Sequence, residues 1–360
     1  MLRALVAALA AIFFLAGPAA AGPNDIVLIF ANETYVGSVP KAGFAHRDGE
    51  EMRRAARDVL AVPESRIIVI KDATSGTFQD WVESGGGVGP VLAQLPIRRD
   101  STIYVYYSGH GMPARKSGAS EAESFLLPVD TPPAQVARRG LAVSDLRAAL
   151  AAVQKLKAPD GRVVLWLDAC FTGSSGGGDL VSDSRSVRIS TKAIMAAEPK
   201  LVEIAAASFE QEALWDAKRG HGVFTDTLLD GLYGAADADK DGHVTADELH
   251  RFLVDHVEER VARLFPSPRR FQTPMLLGDR SIRIASVTGA VRDPALRAEM
   301  QIRCSTTKAS SDISEIRAFL SDCGPACPCR ADLQKRIGEL ERSSSTCIGE
   351  GRELARLEKL

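Results

Sequence analysis

Ile103-Tyr104-Val105-Tyr106-Tyr107-Ser108-Gly109-His110-Gly111 and Val163-Val164-Leu165-Trp166-Leu167-Asp168-Ala169-Cys170 are the two stretches that decide the fold. Each is a short apolar run, rich in β-branched and aromatic residues, that ends on a residue able to do chemistry. A continuous apolar run of this length reads as a strand buried on both faces, as in a parallel sheet. Working outward, Ile26 to Phe30, Ile67 to Ile70 and Leu201 to Ala206 read as further strands. Between and after them Asp48 to Leu60, Val91 to Leu95, Ser144 to Leu156, Val223 to Leu232 and Thr245 to Leu264 carry helical periodicity. Strands alternating with helices predict an α/β protein with a mostly parallel central sheet and helices on both faces. The segments Met112 to Ser120 and Phe171 to Arg188 read as loops, and Gly85 to Gly89 as an ordinary turn, since it lacks the residues of a phosphate-binding loop.

In an open parallel sheet, reactive groups collect beyond the carboxyl ends of the strands. His110 and Cys170 stand there, both bounded by glycine or a glycine-rich loop. If the two strands are neighbours, imidazole and thiol face each other. Only the thiolate is a good nucleophile, and an adjacent imidazole both generates it and later protonates the leaving amine. Such a dyad needs no cofactor. The backbone N–H groups of Gly111 and Cys170 are candidate donors to the oxyanion of acyl transfer. Alone, Cys170 would read as a buried structural thiol and His110 as a loop histidine; paired at two strand ends, they favour catalysis.

The whole chain, 360 residues with 44 Lys+Arg against 46 Asp+Glu, excludes binding to nucleic acid through a basic surface. Its 45% apolar content excludes disorder. Met1-Leu2-Arg3, the apolar run Ala4 to Ala16 and Ala19-Ala20-Ala21 match a secretory signal peptide over residues 1–21. The run is shorter than the ~20 residues that cross a bilayer. The mature protein is therefore expected to start near Gly22, to have no membrane segment and to be periplasmic or secreted. The composition changes after Ile284, so residues 22–285 are expected to form one domain and 286–360 a second, small helical module. There Ile313 to Leu320 and Ala331 to Leu340 read as two helices joined by a Cys-Pro-rich turn.

Tyr106-Tyr107-Ser108-Gly109-His110-Gly111 and Asp168-Ala169-Cys170-Phe171-Thr172-Gly173 resemble the two catalytic motifs of the caspase-like cysteine peptidases, in their bacterial metacaspase-related branch. Ala45-His46-Arg47-Asp48, Phe125-Leu126-Leu127-Pro128-Val129-Asp130 and Gly220-His221-Gly222-Val223-Phe224-Thr225 extend the resemblance over about residues 25 to 285. It implies the caspase-haemoglobinase fold and peptide-bond hydrolysis, with Cys170 as nucleophile, His110 as general acid/base and the Gly111 amide in the oxyanion hole. Where caspases carry Gln-Ala-Cys, this chain has Asp168 two residues before Cys170. In metacaspases the matching acid, with one matching Asp48, lines the primary specificity pocket. A carboxylate pair suits a substrate Arg or Lys, so cleavage after basic residues is expected. Asp48 as a helix N-terminal charge is the plainer alternative. Arg185, Arg188 and Lys192 in the loop after Cys170 would then be self-processing sites.

Asp237-Ala238-Asp239-Lys240-Asp241-Gly242-His243-Val244-Thr245 continues to Glu248 and fits a twelve-residue EF-hand loop. Asp237, Asp239 and Asp241 take positions 1, 3 and 5, Gly242 position 6, the His243 carbonyl position 7, Thr245 position 9 and Glu248 position 12. A Ca2+ site is expected there, with two features against it: no second loop accompanies it, and the site described for metacaspases is formed differently. The same segment can also serve as a turn into the next helix.

Cys304, Cys323, Cys327, Cys329 and Cys347 crowd the tail. In an exported protein they read as disulfides rather than a zinc site, with the pairing open and one Cys left over. The tail is read as a stabilising module or a docking site for a protein partner. His46, His221, His243, His250 and His256 form no metal-ligand cluster by spacing. The leading reading is an exported cysteine endopeptidase acting on protein or peptide substrates with basic residues, calcium-modulated. The alternative is a non-hydrolytic, calcium-responsive binding module on the same fold; a Cys-dependent transferase or amidase would use the same site.

Overall fold

The structure is a computed structural model that describes residues 22–171, 174–175, 178–179, 198–208, 211–266, 270–287, 289–322 and 329–342. The signal-peptide segment, Arg185, Arg188, Lys192, Cys323, Cys327 and Cys347 lie outside the described residues.

Six strands form the central sheet: β1 (Ile26–Ala31), β2 (Ile67–Lys71), β3 (Thr102–Ser108), β4 (Arg162–Asp168), β5 (Leu201–Ala205) and β6 (Met275–Leu277). Their order is β6-β5-β4-β3-β1-β2. All neighbours run parallel except β6, which is antiparallel to β5. The period of two along each strand feeds two separate cores. Val27, Ile29, Tyr104, Tyr106, Val164, Trp166, Val202 and Ile204 meet Met52 of helix α1 (Ala45–Asp58), Leu228 of α3 (Val223–Asp230) and Leu253 of α4 (Ala246–Leu264). The alternate residues, including Leu28, Val105, Tyr107, Leu165 and Leu167, meet Leu146 and Leu150 of α2 (Val143–Lys157) with Phe78, Trp81 and Leu92. Burial on both faces explains why the strands read as unbroken apolar runs.

The chain crosses to one side of β1 for β2 and to the other for β3, β4 and β5. That reversal places the crevice for ligands beyond the carboxyl ends of β1, β3 and β4. This architecture, a mostly parallel sheet with helices on both faces, is the one expected from the sequence.

Local expectations are corrected in three places. First, α1 begins at Ala45 rather than Asp48, so Asp48 sits in its first turn. Second, Gly111–Ala114 is a strand paired with Glu123–Leu126, not a loop, and Met112 and Pro113 are buried there. Third, the described residues of the tail hold helices Pro294–Ala309, Ile313–Asp322 and 330–342, one more than expected. Among the described side chains of the first, the buried positions are Cys304 and Thr307, which form no apolar stripe for the sequence to reveal. Cys304 is bonded to Cys329, and Ile316, Phe319, Leu320 and Leu333 pack around that bridge. Among the described residues no helix is long and apolar enough to cross a membrane.

Candidate active site

His110 and Cys170 each stand two residues past a register pair, Ser108 of β3 and Asp168 of β4. The Gly109 N–H donates to the Asp168 carbonyl at 3.2 Å, which ties the two motifs backbone to backbone. A Cβ on Gly111 would lie 2.7 Å from the Cys170 carbonyl oxygen, so only glycine lets the strand after His110 approach the Cys170 backbone this closely.

Two tyrosines clamp the His110 backbone. Its N–H donates to the Tyr35 hydroxyl at 2.8 Å, and its carbonyl accepts from the Tyr107 hydroxyl at 2.7 Å. The imidazole Nε2 lies 2.8 Å from the Pro40 carbonyl oxygen. A carbonyl only accepts, so this partner assigns the proton to Nε2 and leaves Nδ1 as the basic nitrogen. Burial holds His110 down to about 4, against the opposing pull of the Pro40 carbonyl. The ring is therefore neutral near pH 7.

The Cys170 thiol is 4% exposed, and its hydrogen bonds run to Ala213. The Ala213 N–H donates to Sγ at 2.7 Å, and the Ala213 carbonyl lies 3.5 Å from Sγ. Burial pushes the thiol up to about 12; the Ala213 bond lowers it, and the charges of Asp168 and Glu212 add to the rise. Fully buried Gln272 fixes the covering segment, accepting from the Leu214 N–H at 3.0 Å and donating to the Ala206 carbonyl at 3.0 Å. Thiol and imidazole are thus both neutral here, and the thiol is capped.

Asp48 and Asp168 are brought together near Cys170, 1% and 6% exposed. Asp48 Oδ1 lies 2.5 Å from His221 Nδ1, and Oδ2 accepts from the Gly222 N–H at 3.0 Å. Asp168 Oδ2 accepts from the Thr225 hydroxyl at 2.6 Å. That hydroxyl, having donated, accepts from Tyr106, whose oxygen is 2.6 Å away. A Cβ on Gly222 would fall 2.5 Å from Asp168 Oδ2 and 3.2 Å from Asp48 Oδ2, so both carboxylates converge on this glycine. Burial raises both acids, Asp48 to about 6 and Asp168 to about 7. The negative charge of Asp48 adds to the rise at Asp168, while the His221 and Gly222 bonds oppose it at Asp48. Two buried carboxylates held this way gain from any cation placed between them.

His221, Gly222, Thr225 and Tyr106 were not singled out from the sequence as site residues. They reach the acids because the hairpin of Trp215–Asp216 and His221–Gly222 delivers α3 to the sheet edge. Asp226 of α3 fixes that delivery; it is fully buried and paired with Arg219 at 2.6 Å, with Arg260 of α4 at 2.7 Å and with Arg292.

The acidic loop lies apart, between α3 and α4. The carboxylates of Asp237, Asp239 and Glu248 offer oxygens within 4.8 Å of one another. Asp241 Oδ1 accepts from the His243 N–H at 2.8 Å, and Arg283 lies 3.8 Å from its Oδ2. Thr245 caps α4 in a reciprocal box with Glu248.

A family model described as the caspase domain matches residues 25–280, and the chain belongs to that family, a family of the cysteine peptidase type. No curated protein sequence matches the chain. Among solved structures the chain is similar to protein GSU0716 from Geobacter sulfurreducens, at 16% identity over 72% of this chain and 98% of the other, with a TM-score of 0.46. It is also similar to caspase-1 from Spodoptera frugiperda, at 16% identity over 74% of this chain and 91% of the other, again with a TM-score of 0.46.

Proposed function

We propose that this protein is an endopeptidase that hydrolyses peptide bonds on the carboxyl side of Arg or Lys. The observation that carries the specificity is the convergence of the Asp48 and Asp168 carboxylates on Gly222, next to the nucleophile. A caspase-type cut after aspartate would need cationic groups at that place; a buried acid pair rejects an anionic side chain.

Cys170 is the nucleophile. His110 Nδ1 takes the thiol proton as Sγ attacks the scissile carbonyl carbon, and a tetrahedral oxyanion forms, to which the Gly111 N–H is assigned as donor. The C–N bond then breaks as the imidazolium returns the proton to the leaving amine. Water, deprotonated by the same Nδ1, attacks the thioester carbon and releases the acid and the free thiol. The Pro40 carbonyl keeps the ring in the tautomer this requires and stabilises the imidazolium. No cofactor takes part. The segment around Ala213 has to leave Sγ before substrate enters.

The same reading includes export to the periplasm or beyond through residues 1–21, and self-cleavage at Arg185, Arg188 or Lys192. The bridge Cys304–Cys329 supports an oxidising compartment, and the tail is assigned to docking of a protein partner. The test is hydrolysis of fluorogenic peptides ending in Arg, Lys or Asp by wild type and Cys170→Ala. Turnover of the basic peptides that vanishes in Cys170→Ala supports the reading. Cys170-dependent turnover of only the Asp peptide overturns the specificity, and no turnover of any peptide favours the non-hydrolytic binding module.

A further inference from the structure

We propose that the loop from Asp237 to Glu248 binds one Ca2+ ion, through the carboxylates of Asp237, Asp239 and Glu248, at a site separate from the active site and independent of the peptidase reading. The observation that points to a ligand is an orphaned oxygen. Asp237 is 5% exposed; its Oδ2 accepts from the Gly242 N–H at 3.2 Å, and its buried Oδ1 has no hydrogen-bond partner. A buried carboxylate oxygen without a donor is costly, and native proteins rarely leave one so unless an ion or water completes it. Oxygens of Asp239 and Glu248 lie within 4.8 Å of an Asp237 oxygen and of each other, so one partner set at this place can be shared by three carboxylates. A hard cation with oxygen ligands does that; a proton or a single water does not.

The rest of the loop is shaped for the same guest. Lys240 has φ 62° and Gly242 φ 85°, the left-handed turns that fold positions 4 and 6 inward. No side chain or backbone lies within 4 Å of a Cβ built on Gly242, so its glycine is required by the turn and not by crowding. Glu248 is pinned from both ends of the loop: Oε1 accepts from the Ala238 N–H at 3.2 Å, and Oε2 from the Thr245 N–H at 2.9 Å. The carbonyl of His243, the Asp241 carboxylate and water remain to fill the six to eight positions that Ca2+ takes.

The lack of a second EF-hand is also accounted for. The loop strand His243–Thr245 pairs antiparallel with Arg283–Ser286 of the same chain. That strand supplies the support that a partner loop otherwise gives. Three carboxylates with the further oxygens of the loop suit the six to eight ligands of Ca2+ better than the smaller, near-ideal octahedron that Mg2+ demands.

The experiment is calorimetric titration of CaCl2 into the full chain after chelator treatment, with thermal melts at rising Ca2+. One site per chain is expected, with a melting temperature that climbs with Ca2+ concentration. Asp237→Asn and Glu248→Gln are each expected to weaken binding at least about tenfold. Asp239→Asn, at an exposed position where the amide oxygen can still accept from the Asp241 N–H, is expected to do the same and decides the matter if the buried variants fail to fold. Cys170→Ala is expected to bind Ca2+ like wild type, so loss of peptidase activity and loss of this site are read separately. Absence of saturable binding at millimolar Ca2+, or binding that Asp239→Asn leaves unchanged, overturns the proposal.

Discussion

The backbone N–H of Ala213 donates to the Cys170 Sγ at 2.7 Å, so the thiol of this caspase-domain protein is capped by its own chain. Gln272 holds the cap by its bond to Leu214. Iodoacetamide is therefore expected to alkylate Cys170 slowly in the folded protein. Gln272→Ala frees the segment and is expected to speed alkylation about tenfold, at a cost of about 1–3 kcal/mol for the unpaired buried Leu214 N–H. Mass spectrometry of the alkylated peptide measures the rate; equal rates in the two proteins would contradict a cap held by Gln272.

Asp168 binds its proton more tightly in the folded chain, where burial raises it to about 7, than in the unfolded chain, where it titrates at the ordinary 3.8. Below about pH 4 both states hold the proton and no charge is buried. Above about pH 7 the folded state carries the full cost of a buried charge. Asp168→Asn is thus expected to gain stability over wild type as pH rises through that window, on the order of 1–3 kcal/mol above it. Denaturant melts at about pH 4.5 and about pH 8 test this, and equal gains at both would contradict it.

On the proposed specificity, the same ionisation governs substrate binding. A substrate guanidinium favours the ionised form of both acids, so kcat/KM for an Arg peptide, divided by that for a peptide with an uncharged residue there, is expected to rise across about pH 6 to 7. The ratio cancels the titration of Cys170 and His110, which both substrates share. A flat ratio in wild type would place the cation elsewhere.

Gly222 separates the two carboxylates, and its Cβ would fall 2.5 Å from Asp168 Oδ2. Gly222→Ala is expected to retain the fold, at about 1–3 kcal/mol, while lowering kcat/KM for Arg peptides about a hundredfold. Far-UV dichroism and kinetics separate the two effects. An unaltered preference for Arg would remove Gly222 from the pocket.

What the sequence disclosed follows burial. Strands covered on both faces leave unbroken apolar runs, so β3 and β4 and the residues that end them, His110 and Cys170, were legible. The Asp48 and Asp168 positions were legible through motif resemblance, and the loop from Asp237 through its fixed spacing. The partners of these residues were not. His221 pairs with Asp48 across 173 residues of sequence, and Gln272 with Leu214 across 58; no local periodicity encodes such bonds. The cap on Cys170 is made by the Ala213 backbone, to which side-chain type gives no clue. The strand Gly111–Ala114 escaped notice because its Pro113 and its polar surroundings read as loop, whereas it lies at the edge of its small sheet, where proline is tolerated.

The central claim is a Cys170 peptidase whose acid pair selects basic residues. Its most direct test is digestion of a diverse peptide library, with every cut site read by mass spectrometry. Cuts after Arg and Lys are expected, disappearing in Cys170→Ala and losing their basic preference in Asp168→Asn. Cuts concentrated after Asp, or a basic preference that persists in Asp168→Asn, would contradict it.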